Sequence, residues 1–284
     1  MTPTLVRQHL SRTADASRTD LGARARDWSE IQERMLVPLY EAAYERLEVG
    51  PATRLLGLGC GSGLALLMAA ARGATVAGVE SSRPERLALA RERLQPETRA
   101  TRTRTGTRLV DGPVENAALA APPYTLVTAF EPIGCLAGDS EGLGELLTSA
   151  TPLAGRGAPV VLAGWGPPER CATSTVLRVA TKLADPLRSN GSWRPARRDD
   201  LEEVAQRAGL RPDGSGRVAC PFGYSGLDSA LKGLLSTGLF DAAIAATDQA
   251  QVDKEVAEAL HPYQRRDGTV WMPNVFRYLI ARVP

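Results

Sequence analysis

The chain has 284 residues and a formal net charge of +2, long enough for one α/β domain with an insertion or lid. A charge so near zero excludes bulk electrostatic binding to nucleic acid or an anionic membrane, and no uninterrupted apolar run reaches membrane-spanning length. The cysteines (Cys60, Cys135, Cys171, Cys220) are widely spaced and the histidines are His9 and His261 alone, which argues against a metal site or disulfide framework and fits a reducing cytoplasm.

Residues 1–25 are polar and Arg-rich. They lack the apolar stretch of a signal peptide and read as a mobile arm; residues 26–284 read as a single domain. "WSEIQERMLVPLYEAAYERLEV" sets Ile31, Met35, Leu36, Leu39, Ala42 and Ala43 at helical spacing, and the "GP" after it stops the helix. A strand over 54–58, a glycine-rich turn, a helix over about 63–72, a strand in "ATVAGVE" and a helix opened by Pro84 follow. The Arg-rich "TRATRTRTGTRL" reads as a solvated strand edge or loop, with an anion-binding strip as the alternative. "RLVDG" and "YTLVTAF" are predicted strands, "LGELLTSATPL" a helix and "APVVLAGW" a fifth strand. Residues 166–198 read as an irregular insertion. "DLEEVAQRAGL" is a helix capped by Asp199 or Asp200 and ended by Gly209. "GRVACPFGY" and "VFRYLIARV" are the last two strands, and residues 225–263 between them form two or three helices, read as a lid. The alternation predicts an α/β, Rossmann-like parallel sheet with helices on both faces.

Such sheets bind ligands beyond the carboxyl ends of their strands. "RLLGLGCGSG" puts Gly59, Gly61 and Gly63 there, where bare backbone lets a ligand approach and the next helix aims its amides at it. Glu80 ends the second strand about twenty residues on, placed to accept hydrogen bonds from ribose hydroxyls. A tight turn that only packs a helix is the alternative, but strand, turn, helix, strand and acid in this order point to a nucleoside site.

These residues resemble the first motif and the following acid of class I S-adenosylmethionine (SAM) methyltransferases. "AQRAGL" and the closing "FRYLIAR" are also similar, and the long late insertion resembles that of actinobacterial methyltransferases of small metabolites. The resemblance implies a seven-stranded fold with a helical lid before the last strand. It implies cofactor contacts from Gly57, Gly59, Cys60, Gly61, Gly63 and Glu80, with no chemistry for the Cys60 thiol. Three places depart from the pattern. Gly57 stands where the family usually has Asp. "GPVENAAL" puts Pro113 where an Asp often holds adenine, leaving Asp111 as the alternative. "LAGRG" replaces a "PGG" turn. Losing two charge-assisted bonds to a cationic cofactor costs about 3–6 kcal/mol. A turn stripped of its acid suits an anion.

"AFEPIGCL" closes the fourth strand, and Glu131 there is expected at the bottom of an apolar cleft as a general base. Helix capping or pairing with an arginine is its alternative. His261 is the second catalytic candidate, as the only histidine near the presumed cleft. Trp165, Trp193, Tyr224 and Trp271 are expected to line a substrate pocket, with packing between lid and core as the alternative. Arg265, with Arg266, would meet an anionic substrate. The expected function is a natural-product biosynthetic step on this fold without methyl transfer and with no cofactor required. One example is ring closure in which an amine displaces a sulfate or phosphate, as in aziridine formation. The alternatives are a SAM-dependent small-molecule methyltransferase and a non-catalytic partner subunit. The expected partner is a small-molecule intermediate, with a protein partner or homo-oligomer also open.

Overall fold

In the computed structural model, residues 20–94, 107–118, 122–134, 139–184 and 200–284 are described. Helix α1 (Leu21–Asp27) starts the described chain. It is capped by Asp20, whose carboxylate accepts from Ala23 N at 3.0 Å. The expected arm therefore ends before residue 20 at its latest. The predicted long helix is three pieces: a π-turn (Trp28–Gln32), a 3₁₀ turn (Glu33–Leu36) and α2 (Val37–Arg46). The irregular turns rotate the buried face, so Gln32 and Glu33 point inward while Ile31 and Met35 are only half-buried.

The alternating units follow as β1 (Arg54–Leu58), α3 (Leu64–Ala71), β2 (Thr75–Glu80), α4 (Pro84–Leu94), β3 (Thr107–Asp111), β4 (Leu126–Ile133), α5 (Asp139–Ala150) and β5 (Pro159–Trp165). Residues 166–198 are not wholly irregular: α6 (Thr173–Ala184) buries Val176, Leu177 and Ala180 along one stripe. Its Thr-rich sequence masked that spacing. Next come α7 (Asp200–Arg207) and β6 (Arg211–Ala219). "GRVACPFGY" is not one strand. Cys220-Pro221 breaks it, and β7 (Phe222–Tyr224) leaves the sheet. The lid is three helices, α8 (Leu227–Ser236), α9 (Asp241–Ala246) and α10 (Gln249–Leu260). Two strands close the chain: β8 (Val270–Met272), which pairs with β7, and β9 (Val275–Arg282).

The main sheet has the order β3-β2-β1-β4-β5-β9-β6, with every strand running the same way except β9, which is antiparallel to both its neighbours. Both faces are covered, so β1, β4 and β5 are nearly continuous apolar runs. One core holds Leu55, Phe130, Val161 and Phe276 beneath α2, α3 and the lid. The other holds Leu56, Val127, Leu162 and Leu279 beneath α5 and α7. β1 lies between β2 and β4, so the turn after it opens where the chain departs toward β2 on one side and toward β4 on the other. Among the described residues no helix is long and apolar enough to cross a membrane.

Candidate active site around the glycine turn

The turn has the backbone its sequence predicts. Gly59, Gly61 and Gly63 take φ of +57°, +55° and +79°, values that disfavour any side chain. Cys60 N donates to Val79 O at 3.0 Å, tying the turn to β2. Glu80 is buried and accepts from Gly61 N at 3.2 Å, from Ser82 N at 3.2 Å and from Ser82 Oγ at 3.0 Å. The acid expected to hold ribose thus spends three of its roughly four acceptor sites on its own chain. Burial, with Glu80 and Glu33 nearby, pushes the Cys60 thiol up to about 12; it is inert at neutral pH.

Gly57 has a packing reason. It pairs with Gly78 across β1 and β2, and the two form a notch for Leu66 of α3. A Cβ at Gly57 would lie 2.9 Å from Leu66 Cδ2, and one at Gly78 would lie 2.5 Å from Leu66 Cδ1. The position that carries an acid in the resembled family is filled here by a buried leucine.

Residues 20–36 lie across the turn as a strap. The Glu33 carboxylate accepts from Ser62 Oγ at 2.5 Å, Arg93 Nη1 at 2.8 Å and Leu64 N at 3.4 Å. The helix N-terminus that would welcome a ligand anion already has one from the chain itself. The Trp28 indole lies beside it, its Nε1 3.4 Å from where a Cβ on Gly61 would be. Arg86 stacks on that indole at 4.0 Å and donates to Ser236 O of α8 at 2.6 Å. Burial, then the nearby Arg83 charge, pulls Arg86 down to about 10. The strap is latched to the lid: Tyr224 Oη donates to Gln32 at 2.9 Å, and Arg24 donates to Leu235 O at 3.1 Å and to Asp241 at 2.5 Å.

What remains is a cavity of about 30 Å³ between Trp28, Glu33, Arg83, Arg86, Phe130 and Glu131. A water needs roughly 10–15 Å³ of such space, whereas small-molecule pockets run to several hundred. In this arrangement two arginines, Arg83 and Arg86, line the space beside the turn.

Several expected site residues lie elsewhere. Glu131 reaches the cavity but is not at the bottom of an apolar cleft. Its side chain is 50% exposed and ion-paired with Arg83 at 2.8 Å, at the first exposed position of β4. Asp111 pairs in register with Glu80 but is exposed and outside the cavity. His261 is exposed and lines a separate groove with Lys254, Glu258 and Gln264. Trp165 packs on Phe276 and Phe222 at centroid distances of 4.5 and 6.0 Å. Tyr224 is buried against Gln32, and burial pushes its phenol up. Arg265 stacks on Trp271 at 4.6 Å, and that indole is 41% exposed. None of these four lines the cavity; Trp165 lines a separate groove with Arg170, Arg217 and Arg277. Trp193 lies outside the described residues. Sequence reasoning missed Trp28, Glu33, Arg83, Arg86 and Arg93. One signal was present: Arg86 and Arg93 are seven apart on α4 and share a face.

No family model matches the chain, and no curated protein does. Solved structures do. A putative methyltransferase from Bacillus halodurans superposes with a TM-score of 0.54 at 14% identity, covering 86% of this chain and 98% of the other. The cyclopropane synthase MmaA2 from Mycobacterium tuberculosis gives 0.52 at 13%, covering 94% and 95%. A putative methyltransferase from Haloferax volcanii, solved in complex with the Trm112 methyltransferase activator, gives 0.52 at 18%, covering 93% and 98%. At these identities the likeness carries architecture and not chemistry. The strand order, the glycine turn and the superpositions together give this chain the fold of the class I SAM-dependent methyltransferases.

Proposed function

We propose that the protein is an enzyme that uses the methyltransferase fold without methyl transfer, closing a ring in a small biosynthetic intermediate. One observation supports this reading: Glu33 and Trp28 pack against the glycine turn, and Leu66 packs against Gly57 before it. The residues do not fit SAM, so no step is routed through it. The glycine turn is also not the anion holder first expected, since Glu33 occupies it. That role passes to Arg83, a guanidinium at the cavity mouth beside Glu131.

In the proposed step a substrate amine attacks a neighbouring carbon that bears a sulfate or phosphate ester. The C–N bond forms and the C–O bond breaks, and its electron pair leaves on the oxyanion. Glu131 takes the amine proton. Arg83 exchanges Glu131 for the leaving oxyanion, which frees the carboxylate as a base at the moment it is needed. The test is sulfate release from a panel of vicinal amino sulfate esters, followed together with the cyclic amine by mass spectrometry. The reading expects release without SAM and a loss of about 10²–10⁴-fold in Glu131→Gln. Equal turnover by that variant would overturn the role of Glu131.

A second reading is favoured by the retained turn geometry and by Glu80 at the end of β2. If the strap withdraws, the protein is a SAM-dependent small-molecule methyltransferase with an atypical site.

A further inference from the structure

Two residues of the cavity lining have hydrogen-bond donors to spare. The Trp28 Nε1–H is buried and has no partner, although an indole N–H buried in a protein usually finds one. Arg86 is 5% exposed, yet its hydrogen bond to the Ser236 carbonyl engages only one of its nitrogens. Both groups are donor-only. The acids in the lining are already engaged: Glu33 by Ser62, Leu64 and Arg93, and Glu131 by Arg83. The stack of Arg86 on Trp28 fixes the two donor groups against each other.

We infer that the gap between Trp28, Arg83 and Arg86 is a subsite for a small oxyanion group, the sulfate-ester end of a substrate. Its acceptor oxygens would satisfy the indole N–H and the free guanidinium N–H groups together. The volume of about 30 Å³ is that of two or three waters, the scale of one tetrahedral oxyanion and too small for a nucleoside. Charge does not oppose entry. Arg83, Arg86 and Arg93 balance Glu33, Glu80 and Glu131, so the ligand meets a neutral set in which the unmatched groups are donors. The assignment deepens the ring-closure reading and rests on it for the identity of the ester. The subsite itself is tested independently.

The experiment is a ¹⁵N-indole NMR titration of the full chain with inorganic sulfate, inorganic phosphate and methyl sulfate, at constant ionic strength set with chloride. The Trp28 resonance is assigned by its loss in Trp28→Phe, which keeps the aromatic stack on Arg86. The expected result is a saturable shift of the Trp28 indole with sulfate and with methyl sulfate. Trp28→Phe and Arg86→Gln should each weaken binding, measured calorimetrically, by about tenfold or more. An unmoved Trp28 resonance, or undiminished binding by Trp28→Phe, would overturn the subsite. Binding of the inorganic ions without methyl sulfate would overturn the assignment to a substrate ester. Micromolar SAM binding would sink the ring-closure reading while leaving the indole titration to stand by itself.

Discussion

The glycine turn and the strap that lies across it make opposite statements about the same pocket. The turn keeps the left-handed glycines and the acid at the end of β2. The strap fills the space those features would serve, with Glu33 against the helix N-terminus and Trp28 against Gly61. Backbone geometry in a strand-turn-helix unit is local, and it persists because it also packs α3 onto the sheet. Pocket volume is set by side chains arriving from distant parts of the chain.

The largest expected effect lies in the strap. Glu33→Ala removes the anion from the turn and leaves Arg93, only 21% exposed, without its carboxylate. Breaking such a pair costs about 3 kcal/mol or more, and urea unfolding should report it. A loss below about 1 kcal/mol would mean that Glu33 is a loose occupant. Leu66→Ala acts from the turn side. It empties the Gly57–Gly78 notch and should cost about 2–4 kcal/mol. Because it clears the atoms 2.9 Å from a Cβ on Gly57, Gly57→Asp should be less destabilising in that background than alone, by a double-mutant cycle. The smallest effect is at the latch. Arg24→Ala removes a pair whose acid is 54% exposed and a bond to Leu235 O. It should cost about 1 kcal/mol or less, yet speed hydrogen exchange in residues 20–36 more than in β1.

The sheet was legible from sequence because its strands are short apolar runs between glycine and proline signals. β1 and β2 match their predicted bounds to within a residue. The helix α6 was not legible, since Thr173, Ser174, Thr175 and Thr181 dilute its apolar stripe. Of the site, the turn and Glu131 were readable, each within a few residues of a strand end. The groups that close the pocket were not. Arg93 reaches Ser29 over 64 positions, and Arg86 reaches Ser236 over 150. Spacing rules describe one element at a time and carry no information about contacts at that range. Trp165, Tyr224 and Trp271 were expected at a pocket from their places after strands; none of them lines the cavity beside the turn, while Trp165 lines a separate groove.

The proposed function requires that the chain's own side chains stand in the place of the nucleoside at this turn. Calorimetric titration of the unmodified protein with SAM and with S-adenosylhomocysteine tests it most directly. The account predicts no binding tighter than about 1 mM for either, because the ligand must first displace Glu33 and Trp28, and that cost is subtracted from its own binding free energy. Binding in the micromolar range, with hydrogen exchange showing residues 20–36 released, would contradict it and return the protein to methyl transfer.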